Sequence, residues 1–75
     1  MDKLLSDILT AKKVNVKNIT GIDATRLYEM GITPGTEIVI VRRAPLGFPI
    51  EIKVRGYFLS LRKSEADCIE VEVIK

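Results

Sequence analysis

Few residues in this chain are equipped for chemistry. A nucleophile needs a base beside it, and the single thiol, Cys68, has no histidine anywhere in the chain to serve it. The lack of histidine also removes the commonest transition-metal ligand and the side chain that most often titrates near neutral pH. Cys68 falls between a helical turn and a strand whose first residue, Ile69, points inward, so it reads as a small buried hydrophobe. Glu65, Asp67, Glu70 and Glu72 offer only hard oxygen donors, with no imidazole or second thiolate beside them. They read as a solvated acidic face. No glycine-rich phosphate loop followed by lysine is present. Enzyme activity, a resident metal and a resident cofactor are therefore not expected.

Binding chemistry is better supplied. Between positions 42 and 63 six basic residues (Arg42, Arg43, Lys53, Arg55, Arg62, Lys63) stand against one acid, Glu51. From Ser64 onward four acids face only Lys75. The net charge of +2 names no partner, but this sign change predicts two differently charged faces. Inside the basic stretch, Ala44-Pro45-Leu46-Gly47-Phe48-Pro49 sets Leu46 and Phe48 between prolines. Such an apolar tip either folds back over the core or docks on a partner. Phe48, Tyr57 and Phe58 lie near the basic residues, as in a nucleic-acid-binding barrel that stacks bases. That is the alternative reading, and nucleic acid is not the expected partner.

Residues 1–75, 47% apolar and 29% charged, make one small domain with one core. One cysteine cannot form an internal disulfide, which points to a reducing compartment. Ser6 and Asp7 interrupt the apolar pairs near the N-terminus, unlike a secretory signal. The longest aliphatic run, Ile38-Val39-Ile40-Val41, is four residues against the roughly 20 of a membrane helix. A cytoplasmic location without direct membrane insertion is expected.

The apolar spacing then places the elements. Residues 4–9 form one helical turn over an open end of the core. Val14 and Val16 alternate as a strand, and Ile19 regains the inner face only through a bulge. Over residues 22–31 the period turns helical, with Asp23 as the cap, Ile22 stapled onto Leu27 and Gly31 as the stop. Thr33-Pro34-Gly35-Thr36 reads as a type II turn, so Gly31, Pro34 and Gly35 serve the backbone. Ile38 to Val41 reads as a strand covered on both faces. Ile50-Glu51-Ile52-Lys53-Val54-Arg55 alternates strictly, Gly56 bends, and Tyr57, Leu59 and Leu61 resume the inner face. A helical turn opened by Ser64 leads to a last strand through Ile69, Val71 and Val73. About five strands with one short helix and one or two helical turns make a mainly β small barrel. A core this small leaves room for a homo-oligomer in which a second copy covers a strand edge.

The order of these residues resembles the FeoA family. Arg26, Leu27, Met30, Gly31, Ile32, Pro34, Gly35 and Thr36 are similar to its Arg-Leu, Met-Gly-Ile and Pro-Gly-Thr core. Arg43-Ala44-Pro45-Leu46-Gly47 with Pro49-Ile50, and Leu59, Leu61 and Arg62 before Glu65-Ala66, resemble its later patterns. Phe48 stands where the family commonly has Asp, which favours an apolar role for the loop tip. The resemblance implies an SH3-like β-barrel of the bacterial or archaeal cytosol. It implies an accessory of ferrous iron transport that acts as a protein-interaction module on FeoB, the membrane transporter, with no iron site of its own. Similar domains also serve metal-dependent repressors, but no helix-turn-helix precedes this one, so that context is not expected. The contact residues expected from this reading are Arg43, Leu46 and Phe48, together with neighbouring helix residues.

Overall fold

The computed structural model describes residues 3–8 and 12–74. The chain runs through β1 (Lys3–Leu4), a 3-10 turn (Leu5–Asp7), β2 (Lys13–Ile19), α1 (Ala24–Glu29), β3 (Glu37–Arg43), β4 (Ile50–Val54), β5 (Tyr57–Leu61), α2 (Lys63–Ala66) and β6 (Ile69–Val73). Every pairing is antiparallel, and the strand order is β1-β6-β2-β3-β4-β5. The result is the mainly β small barrel that the sequence predicts, with six strands where about five are expected; β1 is only two residues long. No ladder joins β1 to β5 among the described residues, so the sheet is a curled strip with two ends.

Side-chain alternation builds the core where the strands are regular. Ile50, Ile52 and Val54 of β4 are buried, as are Leu61, Ile69 and Val71. In β2 the register against β6 shifts between Val16 and Asn18, and this bulge returns Ile19 to the core as its spacing requires. Leu5 and Ile8 are buried in the same core, and the 3-10 turn packs on β6 and α2. Leu9, the last apolar residue of the turn expected over residues 4–9, lies outside the described residues. Hydrogen bonds from Ser6 and then Lys63 hold the Asp67 carboxyl below its ordinary pKa.

Five local expectations are corrected. Ile38 is buried, but Val41 is 46% exposed, so the aliphatic run of β3 is not covered on both faces. A register shift against β4 between Ile40 and Arg42 accounts for its broken alternation. Ile22 is 99% exposed and does not staple onto Leu27, and Asp23 makes no side-chain cap. Backbone bonds open α1 instead, Ala24 N–H to the Gly21 carbonyl (3.3 Å) and Leu27 N–H to the Asp23 carbonyl (3.0 Å). Tyr57 is 40% exposed despite its inward position in the alternation. Arg62, not Ser64, caps α2, because the Glu65 carboxylate reaches back to accept the Arg62 N–H at 2.9 Å.

The end of α1 follows the expected chemistry. Ile32 N–H donates to the Leu27 carbonyl and Gly31 N–H to the Tyr28 carbonyl, both at 3.0 Å, with Gly31 left-handed at φ +89°. This double closure brings Leu27 and Ile32 together, both fully buried. Two residues on, Thr36 N–H bonds the Thr33 carbonyl at 3.0 Å and Gly35 has φ +92°, which makes the type II turn.

The two glycines differ in their surroundings, and this predicts a graded loss of stability. A Cβ on Gly35 meets nothing within 4 Å, so Gly35→Ala is expected to cost only the left-handed backbone strain, about 1–2 kcal/mol. A Cβ on Gly31 lies 3.3 Å from both Arg55 Cδ and the Tyr57 hydroxyl, so Gly31→Ala is expected to cost more. Urea unfolding of both variants checks the order; equal losses contradict it.

Candidate docking surface

The bulge in β3 sets up the surface at its C-terminal end. Past it, Arg42 lies across from Glu51 and Arg43 from Ile50. The chain then leaves the sheet as the 44–49 loop, since two prolines and a left-handed Gly47 (φ +101°) cannot continue a ladder. Backbone bonds close the loop, Gly47 N–H to the Ala44 carbonyl at 2.8 Å and Ala44 N–H to the Pro49 carbonyl at 3.2 Å.

The loop divides its two apolar side chains. Leu46 is 97% exposed at the tip, whereas Phe48 is half-buried and packs against the core. The choice between folding back and facing outward is thus answered differently by each residue. Arg43 is half-buried, and its Nη2 is buried without a hydrogen-bond partner. Beside the loop lies a cavity of about 430 Å³ lined by Arg42, Arg43, Pro45, Pro49, Glu51 and Ser60. Arg43, Leu46 and Phe48 therefore share one end of the barrel, around the β3–β4 connection.

The helix and its turn are not part of that end. Arg55 follows the last residue of β4, while the 44–49 loop precedes the first. Arg55 Nε donates to the Gly31 carbonyl at 2.8 Å, and its Nη2 donates to the Thr33 and Thr36 hydroxyls at 3.1 Å each. The Tyr57 hydroxyl donates to the Met30 carbonyl beside it. Gly31 and the turn of Pro34 and Gly35 are thus fastened at the far end of β4, away from the loop that the sequence groups with neighbouring helix residues.

Glu65 also departs from expectation. It is buried at 4% exposure, bonded to the Arg62 amide and 3.6 Å from Arg26 Nη1, so it is no part of a solvated acidic face. Asp67 pairs with Lys63 at 3.2 Å. Cys68 is buried, its Sγ donating to the Ser64 carbonyl at 3.4 Å. No group of three or more His, Cys, Asp or Glu side chains able to hold a metal gathers among the described residues. On the outer face of β4 and β5, Lys53 Nζ lies 5.8 Å from the centre of the exposed Phe58 ring.

Sequence reasoning missed Ser60, Glu51 and the pairing of Arg42 with Arg43 around one cavity. No local pattern signalled that grouping, because its lining comes from β3, the loop, β4 and β5 together. It missed Arg55 as well, whose signal was a long donor placed just before a glycine at the end of a regular strand.

With this geometry in place, the FeoA domain family model matches residues 3–73. The chain belongs to the FeoA family. Its sequence is 35% identical over 72 residues to a Fe(2+) transport protein A/Fe(2+) transporter FeoB fusion protein of Porphyromonas gingivalis. That match takes in 93% of this chain but spans only 8% of the fusion protein. The solution structure of a FeoA-like protein from Clostridium acetobutylicum superposes with a TM-score of 0.90 at 43% identity, covering 99% of this chain and 88% of that one. A zinc-complexed FeoA of Stenotrophomonas maltophilia, described as an SH3 domain protein, superposes with a TM-score of 0.78 at 28% identity, covering 91% and 87%. The barrel is thus the SH3-like fold of FeoA proteins.

The divided loop predicts a divided stability response. Leu46→Ala is expected to leave the unfolding free energy within about 0.5 kcal/mol, as an exposed site does. Phe48→Ala is expected to cost about 2 kcal/mol, roughly half the loss of a fully buried phenylalanine. Thermal or urea unfolding measures both; a large loss for Leu46→Ala would place that side chain in the core after all.

Proposed function

We propose that this FeoA-family protein is an accessory module of ferrous iron transport that docks on the cytosolic side of a FeoB-type membrane transporter. The observation that carries the reading is Leu46, a large aliphatic side chain 97% exposed on a hydrogen-bonded loop beside two arginines. Water contact at such a tip is unfavourable, and burial in a partner's pocket removes it. Arg43 and the exposed edge of Phe48 flank the contact and set its orientation.

The P. gingivalis relative supports the choice of partner. Its name joins transport protein A and the FeoB transporter in one chain, an arrangement that raises their effective concentration for each other. No described helix is long and apolar enough to cross a membrane. The module acts by binding, through side chains that do no covalent chemistry.

The test is retention of the detergent-solubilised transporter by the immobilised protein. Leu46→Ser is expected to lower the affinity at least about tenfold, the equivalent of one buried leucine, with unchanged thermal stability. Wild-type affinity in Leu46→Ser, with the fold intact, overturns the docking role of the loop.

A further inference from the structure

Arg42 and Arg43 are consecutive, and in a regular strand their side chains point to opposite faces. Arg42 pairs across the ladder with Glu51 and Arg43 with Ile50, yet at the end of β3 both arginines line the cavity of about 430 Å³ beside the loop. Neither makes an ion pair among the described residues, although Glu51 stands across the ladder from Arg42 and lines the same cavity. Arg43 Nη2 is moreover buried without an acceptor, so its desolvation is uncompensated. A cavity with spare guanidinium donors calls for an oxyanion.

The rest of the lining says which kind. Two arginines against one glutamate leave a single net positive charge, enough to balance one carboxylate. The Ser60 hydroxyl adds a neutral donor, while Pro45 and Pro49 form an apolar wall against which the methylenes of an acidic side chain can pack. The volume stands near the small end of ligand pockets, enough for a side chain with its flanking backbone. We propose that this cavity is a carboxylate pocket that receives an aspartate or glutamate side chain of an acidic peptide segment. The partner that presents the segment rests on the docking reading above; the chemistry of the pocket does not.

The test is a titration of the full 75-residue chain, followed by amide and arginine side-chain NMR, with an acetylated and amidated tri-glutamate peptide, with acetate and with inorganic phosphate. The expected result is saturable shifts confined to residues 42–45, 51 and 60, with the peptide binding more tightly than acetate and phosphate more weakly than the peptide. Arg42→Gln, an exposed position that leaves the core untouched, is expected to weaken the peptide about tenfold, the loss of one charge-assisted contact. Arg43→Gln is expected to do the same, and Arg42→Gln keeps the test decisive if substitution of the half-buried Arg43 unfolds the chain. Unsaturable shifts spread over the basic surface, tighter binding of phosphate, or unchanged peptide affinity in Arg42→Gln each overturn the pocket. Transporter retention is measured in parallel with Arg42→Gln. Lost peptide binding with full transporter retention supports the pocket and removes it from the docking surface, whereas lost retention in Leu46→Ser with intact peptide binding leaves both proposals standing.

Discussion

The guanidinium of Arg55 is the interaction on which the rest of the arrangement depends. It reaches from the β4–β5 hairpin to the Gly31 carbonyl and to the hydroxyls of Thr33 and Thr36, so one side chain joins the end of α1, the type II turn and the sheet. Arg55 itself has φ +50° and Gly56 φ +87°, the two left-handed residues of a tight hairpin between Val54 and Tyr57. A left-handed arginine costs roughly 1–2 kcal/mol of backbone strain. Three hydrogen bonds from a charged donor offset that cost. The contact also explains why Gly31 must lack a Cβ: the arginine stem passes 3.3 Å from where it would stand.

Fastening the helix at one end of β4 leaves the other end for the 44–49 loop. There Arg42 and Arg43, the last two residues of β3, line the same cavity, and the prolines force the backbone out of the sheet. Leu46 is exposed while Phe48 holds the loop to the core, so the tip is anchored through one apolar residue and presented through the other. The same division of labour appears in the acids. Glu65 turns inward to cap α2 and meet Arg26, whereas Glu72 remains on the outside. The barrel therefore has one end fastened by the hydrogen bonds of Arg55 and another that presents an exposed apolar tip beside an arginine-lined cavity.

Much of this was legible in the sequence, for identifiable reasons. Strict alternation at residues 50–55, the misplaced Ile19 and the glycine stop at Gly31 each reflect a local rule that the chain obeys. The Pro34-Gly35 turn did as well. What was not legible arose from contacts between residues far apart in the chain. Nothing near Glu65 in sequence announces Arg26, and nothing near Arg55 announces Thr33 and Thr36. Ile22 shows the converse, because an apolar residue at a stapling position stays in water when backbone bonds from Gly21 already start the helix. At the candidate surface, the loop pattern and the family resemblance singled out Arg43, Leu46 and Phe48 as expected contacts, but only the course of β3, β4 and β5 revealed which neighbours they have.

The central claim is that the loop end of the barrel, and not the helix end, meets the partner. Amide hydrogen exchange of the protein, alone and bound to a detergent-solubilised FeoB-type transporter, tests it most directly. The account predicts new protection confined to residues 42–49 and the adjoining Glu51 and Ser60, with the 22–36 segment unchanged. Protection centred on residues 22–36, with the loop still exchanging freely, would contradict it.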